Sequence, residues 1–525
     1  MKGVSSETWR TFGVILAVLV VSLGAIHTLG RQGFHFEDLS IAFDGGYRIW
    51  LGQDPFVDFV SPIGPVLFLQ QALFFSLFGV GWSAYLTHAA VLNALAAGAV
   101  FRLLQRFGTT VALLGTLSTV AWFYLPPAAP YIDTTAFFWV LIALWLLVEG
   151  RDQETKRADR LSLLALALFT ASGLAAGLAF LTKQNIGALG LAGLALLLFL
   201  HSPGRLQESR RWLPAAFFGL AAATPLALLA AYTLAHGGWT SFLEYFWQVP
   251  LESGRLKYIL PWSLRMVIKG VRPDMVQSEF AFLVGPAVRE LMVYALTAFL
   301  ALRWLREPDR RFDLAAVAFL LLVQQWSFNT SNNDEALYWP FAGLVLGWLL
   351  GLFPAKFPRK VQVMATVLLV LGGLWISSSR IVHSLRPQAL TFTVDHPRLE
   401  GLRLYDDQGR DLTTLLDFVE RRIPTSESYF VLGYSTFLYG TTGHEPPQPL
   451  LWFRPGVSYS ADHPEAADDR IVQALVRRRV RWIILDPIGS EELLSDFSGL
   501  GRWLESRFQE VDEDLGSYRV FESIP

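Results

Sequence analysis

Long apolar runs fill the chain from residue 11 to residue 380 and then give way to a different pattern. A membrane-spanning helix needs about 20 predominantly apolar residues. Runs of this kind lie at 11–29, 64–81, 84–104, 109–126, 131–149, 162–182, 185–201, 212–235, 291–305, 313–329, 338–354 and 361–379. Residues 381–525 alternate short apolar stretches with amphipathic ones. The stretches 428–432, 480–486 and 518–522 predict strands, and 410–422 and 469–478 predict helices. The pattern predicts a polytopic α-helical membrane protein, residues 1–380, carrying a small C-terminal α/β soluble domain, residues 381–525.

The basic residues decide which runs cross. Clusters stand at Arg102/Arg106, Arg151/Lys156/Arg157/Arg160, Arg205/Arg210/Arg211, Arg303/Arg306/Arg310/Arg311 and Lys356/Arg359/Lys360, with Lys2 and Arg10 before the first run. Cytoplasmic loops are enriched in Lys and Arg. All the clusters share one side only if 64–81 does not cross. That run, which opens Gly64-Pro65, is therefore expected to lie along the outer interface. About eleven crossings remain. The N-terminus is then cytoplasmic in a bacterial-type inner (plasma) membrane, and the loops 30–83 and 236–290 and the tail lie outside. Twelve crossings with a cytoplasmic tail is the alternative, and it puts several basic loops on the wrong side. The run 11–29 is too long for a signal-peptide core and lacks a small-residue cleavage site, so it reads as a retained helix.

Composition adds exclusions. Only 17% of residues are charged, against ~25% in an ordinary soluble domain. The absence of cysteine rules out disulfides, thiolate metal sites and a cysteine nucleophile. Neither a basic domain nor an aromatic–basic groove suggests nucleic acid. The tail carries no Gly-rich phosphate loop. Its role is either acceptor handling or structural capping, and capping is the simpler expectation.

An ionisable residue at membrane depth or at the mouth of a bundle is costly and needs a reason. Glu37 and Asp38 follow the first span within an apolar stretch. There desolvation raises a carboxylate's pKa and suits it for taking a proton; plain solvation at a helix end is the bland alternative. An amphipathic helix comes next, with Ile41, Tyr47, Trp50 and Leu51 sharing the apolar side, ended by Gly52. Asp133, in Pro130-Tyr131-Ile132-Asp133, opens a membrane helix and suits an N-cap as well as a binding role. Lys183 follows a helix whose Gly173 and Gly177 allow close packing. Snorkelling is its plain role, and pairing with a phosphate is the sharper one. Asn332-Asn333-Asp334-Glu335-Ala336-Leu337-Tyr338 forms a polar outer turn. Carboxylates and a lysine on one face of a helical bundle suit a membrane-embedded substrate that bears a phosphate.

These residues resemble a family. Glu37-Asp38 is followed by Gly52-Gln53-Asp54-Pro55-Phe56-Val57-Asp58-Phe59, Pro62-Ile63-Gly64-Pro65 and Leu77-Phe78-Gly79, then by Pro130-Tyr131-Ile132-Asp133 and the Gly173 to Lys183 segment. The order and spacing resemble the polyprenol-phosphate-sugar-dependent glycosyltransferases of the GT-C fold, in particular bacterial relatives of protein mannosyltransferases and of lipid A aminoarabinose transferases. The resemblance covers roughly residues 10–350. It implies a polyprenyl-phosphate-linked sugar as donor and a glycan, lipid or protein as acceptor. It implies catalytic carboxylates at Asp38 and Glu37, and substrate-binding roles for Asp133, Lys183, Tyr131, Asp58 and Tyr338. The family order is Asp then Glu, while this chain reads Glu37-Asp38. Spacing back from Gly52 puts Asp38 on the family's Asp and leaves Leu39 where the Glu would stand, so Asp38 is the better base.

The expected chemistry is inverting sugar transfer on the outer face, with Asp38 as general base and Lys183 beside the departing phosphate. No cofactor is required. A divalent metal is a weaker option, for which His35 and Asp38 supply half a site and no further ligands are evident. The rival functions are a transporter or flippase of lipid-linked sugars and a nonenzymatic scaffold. The chain shows no internal repeat, and its polar residues cluster on one face rather than at mid-bilayer.

Overall fold

A computed structural model describes residues 6–34, 36–156, 162–200, 212–252, 280–331, 339–352, 358, 360, 361, 364, 367, 368, 390–460 and 463–524. Nine helices open the chain: α1 (Ser6–Leu29), α2 (Phe36–Trp50), α3 (Val66–Phe78), α4 (Trp82–Gln105), α5 (Thr109–Trp122), α6 (Ile132–Lys156), α7 (Leu163–Thr182), α8 (Gln184–Leu200) and α9 (Leu213–Ala235). The helices Phe280–Arg306, Arg311–Ser331 and Ala342–Leu352 complete the described bundle. Among the described residues, α4, most of α6, α7 and α9 are long and apolar enough to cross a membrane. The chain is a polytopic helical membrane protein with a small C-terminal sheet domain. The run 361–379, which belongs to the sequence count of crossings, lies largely outside the described residues.

The run 64–81 forms α3, 13 residues long. Such a helix reaches only about 20 Å, against a hydrocarbon core of ~30 Å. One side of α3, with Leu67, Phe68, Ala72 and Phe75, is buried, while Leu69, Leu73, Leu77 and Phe78 are exposed. An apolar helix with a second apolar face left open fits an interface with lipid.

Among the described residues, Arg106, Arg151 and Arg310 gather at one end of the bundle. Arg106, at the end of α4, pairs with Asp313 at 2.6 Å and lies over the Trp348 ring. Arg151, near the end of α6, lies over Phe312, and Arg310 donates to the Leu352 carbonyl at 2.7 Å. Asp133, at the start of α6, is therefore at the opposite end from these arginines.

Close packing in the bundle depends on small residues. A Cβ at Gly173 would sit 2.1 Å from the Phe218 carbonyl oxygen, and one at Gly177 would sit 2.3 Å from that of Ala222. Both contacts join α7 to α9, as small residues do where helices meet in lipid. The outer segment that the sequence places at 236–290 is partly helical. It holds a π-helical turn, Phe242–Gln248, and the next long helix begins at Phe280 rather than at 291. Arg289 and Glu290 interrupt the apolar window there without ending the helix.

The C-terminal domain folds as an α/β unit. Its four-stranded sheet runs β3 (Tyr429–Leu432), β4 (Trp482–Leu485), β6 (Arg519–Ser523), β5 (Phe508–Glu510). β3 and β4 are parallel, as a connection through the helix Glu465–Arg477 permits, and the other pairings are antiparallel. The predicted strands and helices fall on these elements. A two-stranded pair, β1 (Phe392–Thr393) with β2 (Arg403–Leu404), and the edge strand β5 are too short to show a period in sequence.

The helix α2 departs from its predicted amphipathic form. Residues Leu39 to Arg48 are all buried, including Asp44 and Arg48, while Trp50 and Leu51 are exposed. Helix α3 lies against one side of α2. The C-terminal helix Leu438–Thr442 lies on another, with Gly440 against Phe43 and Tyr47. Gly45 and Gly46 permit the approach of α3: a Cβ on either would come within 2.4 Å of Phe68 or Gln71.

Candidate active site

Asp38 sits in the first turn of α2 and is half-buried. The Tyr131 hydroxyl donates to its Oδ2 at 3.3 Å. Behind this contact the buried Tyr85 hydroxyl, on α4, is shared between the Leu39 carbonyl at 2.8 Å and the Pro130 carbonyl at 3.2 Å. A fully buried hydroxyl needs such a partner. Here the partners are the backbones beside Asp38 and ahead of Asp133. One tyrosine thus fixes the distance between the two acidic segments.

Asp133 lies in the first turn of α6, where the helix dipole favours a carboxylate. Its Oδ1 pairs with Lys183 Nζ, and its Oδ2 accepts from Ser327 Oγ at 2.9 Å. Lys183 is the residue between α7 and α8, held extended at φ −151°, ψ 116°. That break turns its side chain toward the start of α6. The next residue, Gln184, donates to the Pro62 carbonyl at 2.8 Å and to the Phe246 carbonyl at 3.1 Å. The lysine turn is thereby tied to both outer segments. The paired side chains retain 14% and 7% of their exposure, so both are largely buried and the lysine is the more exposed of the two.

The structure thus pairs Asp38 with Tyr131 and Asp133 with Lys183, four of the residues singled out in sequence, and the Tyr85 hydroxyl joins the backbones beside the two acidic segments. Asp58 is not with them in any contact: it is exposed, and its Oδ2 accepts from the Asp54 amide at 2.8 Å within a turn. Glu37 lies in α2, but its side chain, like His35 and Tyr338, is outside the described residues. No group of three or more His, Asp or Glu suited to a metal occurs among the described residues.

Four participants escaped the sequence. Ser327 and Gln184 are small polar residues at helix ends, and only the assembled bundle shows their partners. Asp44 and Arg48, one helical turn apart, form a pair with 0% exposure at 3.0 Å. The Arg48 guanidinium also donates to the Gln448 carbonyl at 2.9 Å and to Gln53 Oε1 at 3.4 Å, and it lies over the Phe59 ring. Burial pushes the Asp44 carboxyl up to about 6, and the neighbouring Arg48 charge pulls the other way.

This arrangement defines a class. A helical membrane bundle bears a carboxylate on a short helix and a lysine–aspartate pair at the ends of longer ones. Residues 61–228, roughly a third of the chain, match the sequence family described as dolichyl-phosphate-mannose-protein mannosyltransferase. ArnT from Cupriavidus metallidurans, solved bound to undecaprenyl phosphate, is 15% identical with a TM-score of 0.51, and 99% of each chain is covered. The archaeal oligosaccharyltransferase AglB from Archaeoglobus fulgidus was solved with an inhibitory peptide and a dolichol-phosphate. It is 13% identical with a TM-score of 0.52, covering 98% of this chain and 75% of that one. No curated protein sequence matches the chain. The fold is therefore shared with GT-C glycosyltransferases.

Proposed function

We propose that the protein is a glycosyltransferase that moves a sugar from a polyprenyl-phosphate donor to an acceptor hydroxyl. Transfer takes place at the outer face of a bacterial-type inner membrane, on which loop 30–83 and the C-terminal domain lie. The observation that supports this reading is the contact of Tyr131 with Asp38, two residues ahead of the Asp133 that pairs with Lys183. The match over residues 61–228 and the shared fold with proteins solved on undecaprenyl phosphate and dolichol-phosphate support it.

Asp38 is the general base. It takes the acceptor proton as the acceptor oxygen bonds to the anomeric carbon. The bond from that carbon to the phosphate oxygen breaks on the opposite face, so the anomeric centre inverts. The leaving polyprenyl phosphate takes the bonding electrons, and Lys183 stabilises the charge that grows on it. Asp133 orients Lys183 and the sugar, and Tyr131 holds Asp38.

The test is Asp38→Asn in purified protein supplied with a lipid-phosphate sugar and candidate acceptors. Loss of transfer with donor binding intact is expected. Full turnover in the variant would sink the base assignment. Movement of donor across vesicles by the wild type without transfer would replace this reading with transport.

A further inference from the structure

The C-terminal domain grips the loop that carries Asp38 at three places. Ahead of α2, the Gly33 amide donates to the Arg403 carbonyl at 2.9 Å, and the Arg403 amide donates to the Arg31 carbonyl at 2.8 Å. Phe34 meets Phe437 edge-on at 4.8 Å beside these bonds. Beyond α2, the Val60 amide donates to the Pro449 carbonyl at 2.7 Å, and the Leu451 amide donates to the Val60 carbonyl at 3.2 Å. Between these two seams, Arg48 reaches from the buried face of α2 to the Gln448 carbonyl.

A cap that only covers a surface would meet it through side chains. Here main-chain pairing flanks the helix on both sides, and a desolvated guanidinium pins its middle. Helix α2 needs such support. It has 15 residues with two adjacent glycines inside it, and glycine inside a helix is destabilising relative to alanine because it loses more backbone freedom on folding. A helix this short and this rich in glycine does not hold its own shape in water.

We infer that the C-terminal domain is a working part of the transfer site: it clamps α2 so that Asp38 is held against the acceptor, with Arg48 as the positioning residue. The inference rests on Asp38 as the base. Arg48 lies ten residues along the helix from Asp38, about 15 Å away, so it acts through the helix and not on the substrate. A misplacement of about 1 Å at a reacting group costs on the order of 100-fold in rate. A clamp at this distance therefore controls turnover without touching the donor.

The experiment uses the purified full-length chain. Binding is measured with polyprenyl phosphate alone, and turnover with a lipid-phosphate sugar. Arg48→Lys keeps the charge and loses the fork that serves Asp44, Gln53 and Gln448 together. Asp44→Leu with Arg48→Met replaces the pair by apolar side chains of similar size. In both, kcat is expected to fall about 10-fold while affinity for polyprenyl phosphate stays within about twofold. The double variant should also keep the Tm to within a few degrees. Wild-type kcat in the double variant at unchanged Tm overturns the inference, and so does a parallel loss of kcat and affinity.

Because the chain has no cysteine, one cross-link tests the clamp without weakening it. Val60 and Leu450 pair as a bridge between loop and domain. Val60→Cys with Leu450→Cys, once oxidised, is expected to turn over as the wild type does. Loss of turnover that a reductant restores would mean that loop and domain must part, and the clamp would be wrong. Failure of the base reading looks different: Asp38→Asn keeps full turnover whatever the clamp variants do.

Discussion

Two acid–base pairs of the molecule make opposite use of the same attraction. Asp44 and Arg48 lie one turn apart on a single helix, with no exposure. Asp133, in α6, and Lys183, between α7 and α8, meet across the bundle at 7% and 14% exposure. The arginine's planar fork is engaged by Asp44, Gln53 and the Gln448 carbonyl. Arginine is the residue suited to such a dry, multiply bonded place, and lysine is a compact point charge on a flexible stem. The first pair is closed and holds structure. The second joins different helices and keeps slightly more exposure. The two pairs therefore respond differently when one partner is removed.

The largest effect is expected at the closed pair. Arg48→Met leaves the Asp44 carboxylate buried and uncompensated, which destabilises by about 3–5 kcal/mol. Denaturation in detergent measures it, and Asp44→Leu with Arg48→Met should recover most of the loss. Acid titration sharpens the point. Burial lifts Asp44 from 3.8 in the open chain to about 6 in the folded one. The folded state therefore holds this proton more tightly. The group's contribution to stability is fully present below pH 3.8 and is lost as pH rises to about 6. Relative to the wild type, the double variant should gain Tm across that window. A flat difference would show that Asp44 is not desolvated.

Next in size is Lys183→Met. Removing one group aimed at developing charge costs about 100- to 1,000-fold in kcat. The Tm should fall less than for Arg48→Met, because Asp133 keeps its bond to Ser327. Transfer kinetics and melting on the same preparation decide it. A drop in Tm matching that of Arg48→Met, with kcat preserved in the surviving fraction, would make Lys183 a second structural pin and erase the contrast. A smaller effect belongs to Tyr131→Phe, which deletes only the hydroxyl on Asp38. A hydrogen bond to a charged group is worth about 1.5–3 kcal/mol, and less where water replaces it, so a loss of roughly 10-fold in kcat with donor affinity unchanged is expected. Unchanged kcat would separate Asp38 from the Asp133–Lys183 pair.

The contrast also explains what was legible in the sequence. Hydrophobic runs announce helices because lipid requires about 20 apolar residues for each crossing. The clustering of arginines predicts that 64–81 is not one of them, and α3 has the length of an interfacial helix. Asp133 and Lys183 stood out because charge is rare in such runs. Asp44 and Arg48 did not, since two opposite charges one turn apart on a helix ordinarily mark a solvated face. The segment that buries them arrives 400 residues later, at Gln448. Ser327 and Gln184 carry no signal of their own, because their hydrogen-bond partners lie far away in the chain.

The smallest effect tests the edge of the site. Asp58 stands in the motif Gly52 to Phe59, which by resemblance suggested substrate binding. In the structure its carboxylate accepts from the Asp54 amide, a local bond of the kind that shapes turns. The motif as a whole is built to turn: Gly52 has φ 88° and Phe56 has φ 65°. Phe56 tolerates that left-handed backbone because its buried ring packs on Phe242 and Phe246. Asp58→Ala should therefore cost about 0.5–1.5 kcal/mol of stability and leave kcat/KM within about twofold once folded protein is counted. Phe56→Gly, which relieves the backbone but empties the aromatic pocket, should cost more, about 3–5 kcal/mol by the measure of other large-to-small aromatic changes, less about 1 kcal/mol of relieved strain. A loss in kcat/KM of about 10-fold for Asp58→Ala at unchanged Tm would move Asp58 from the turn into the site.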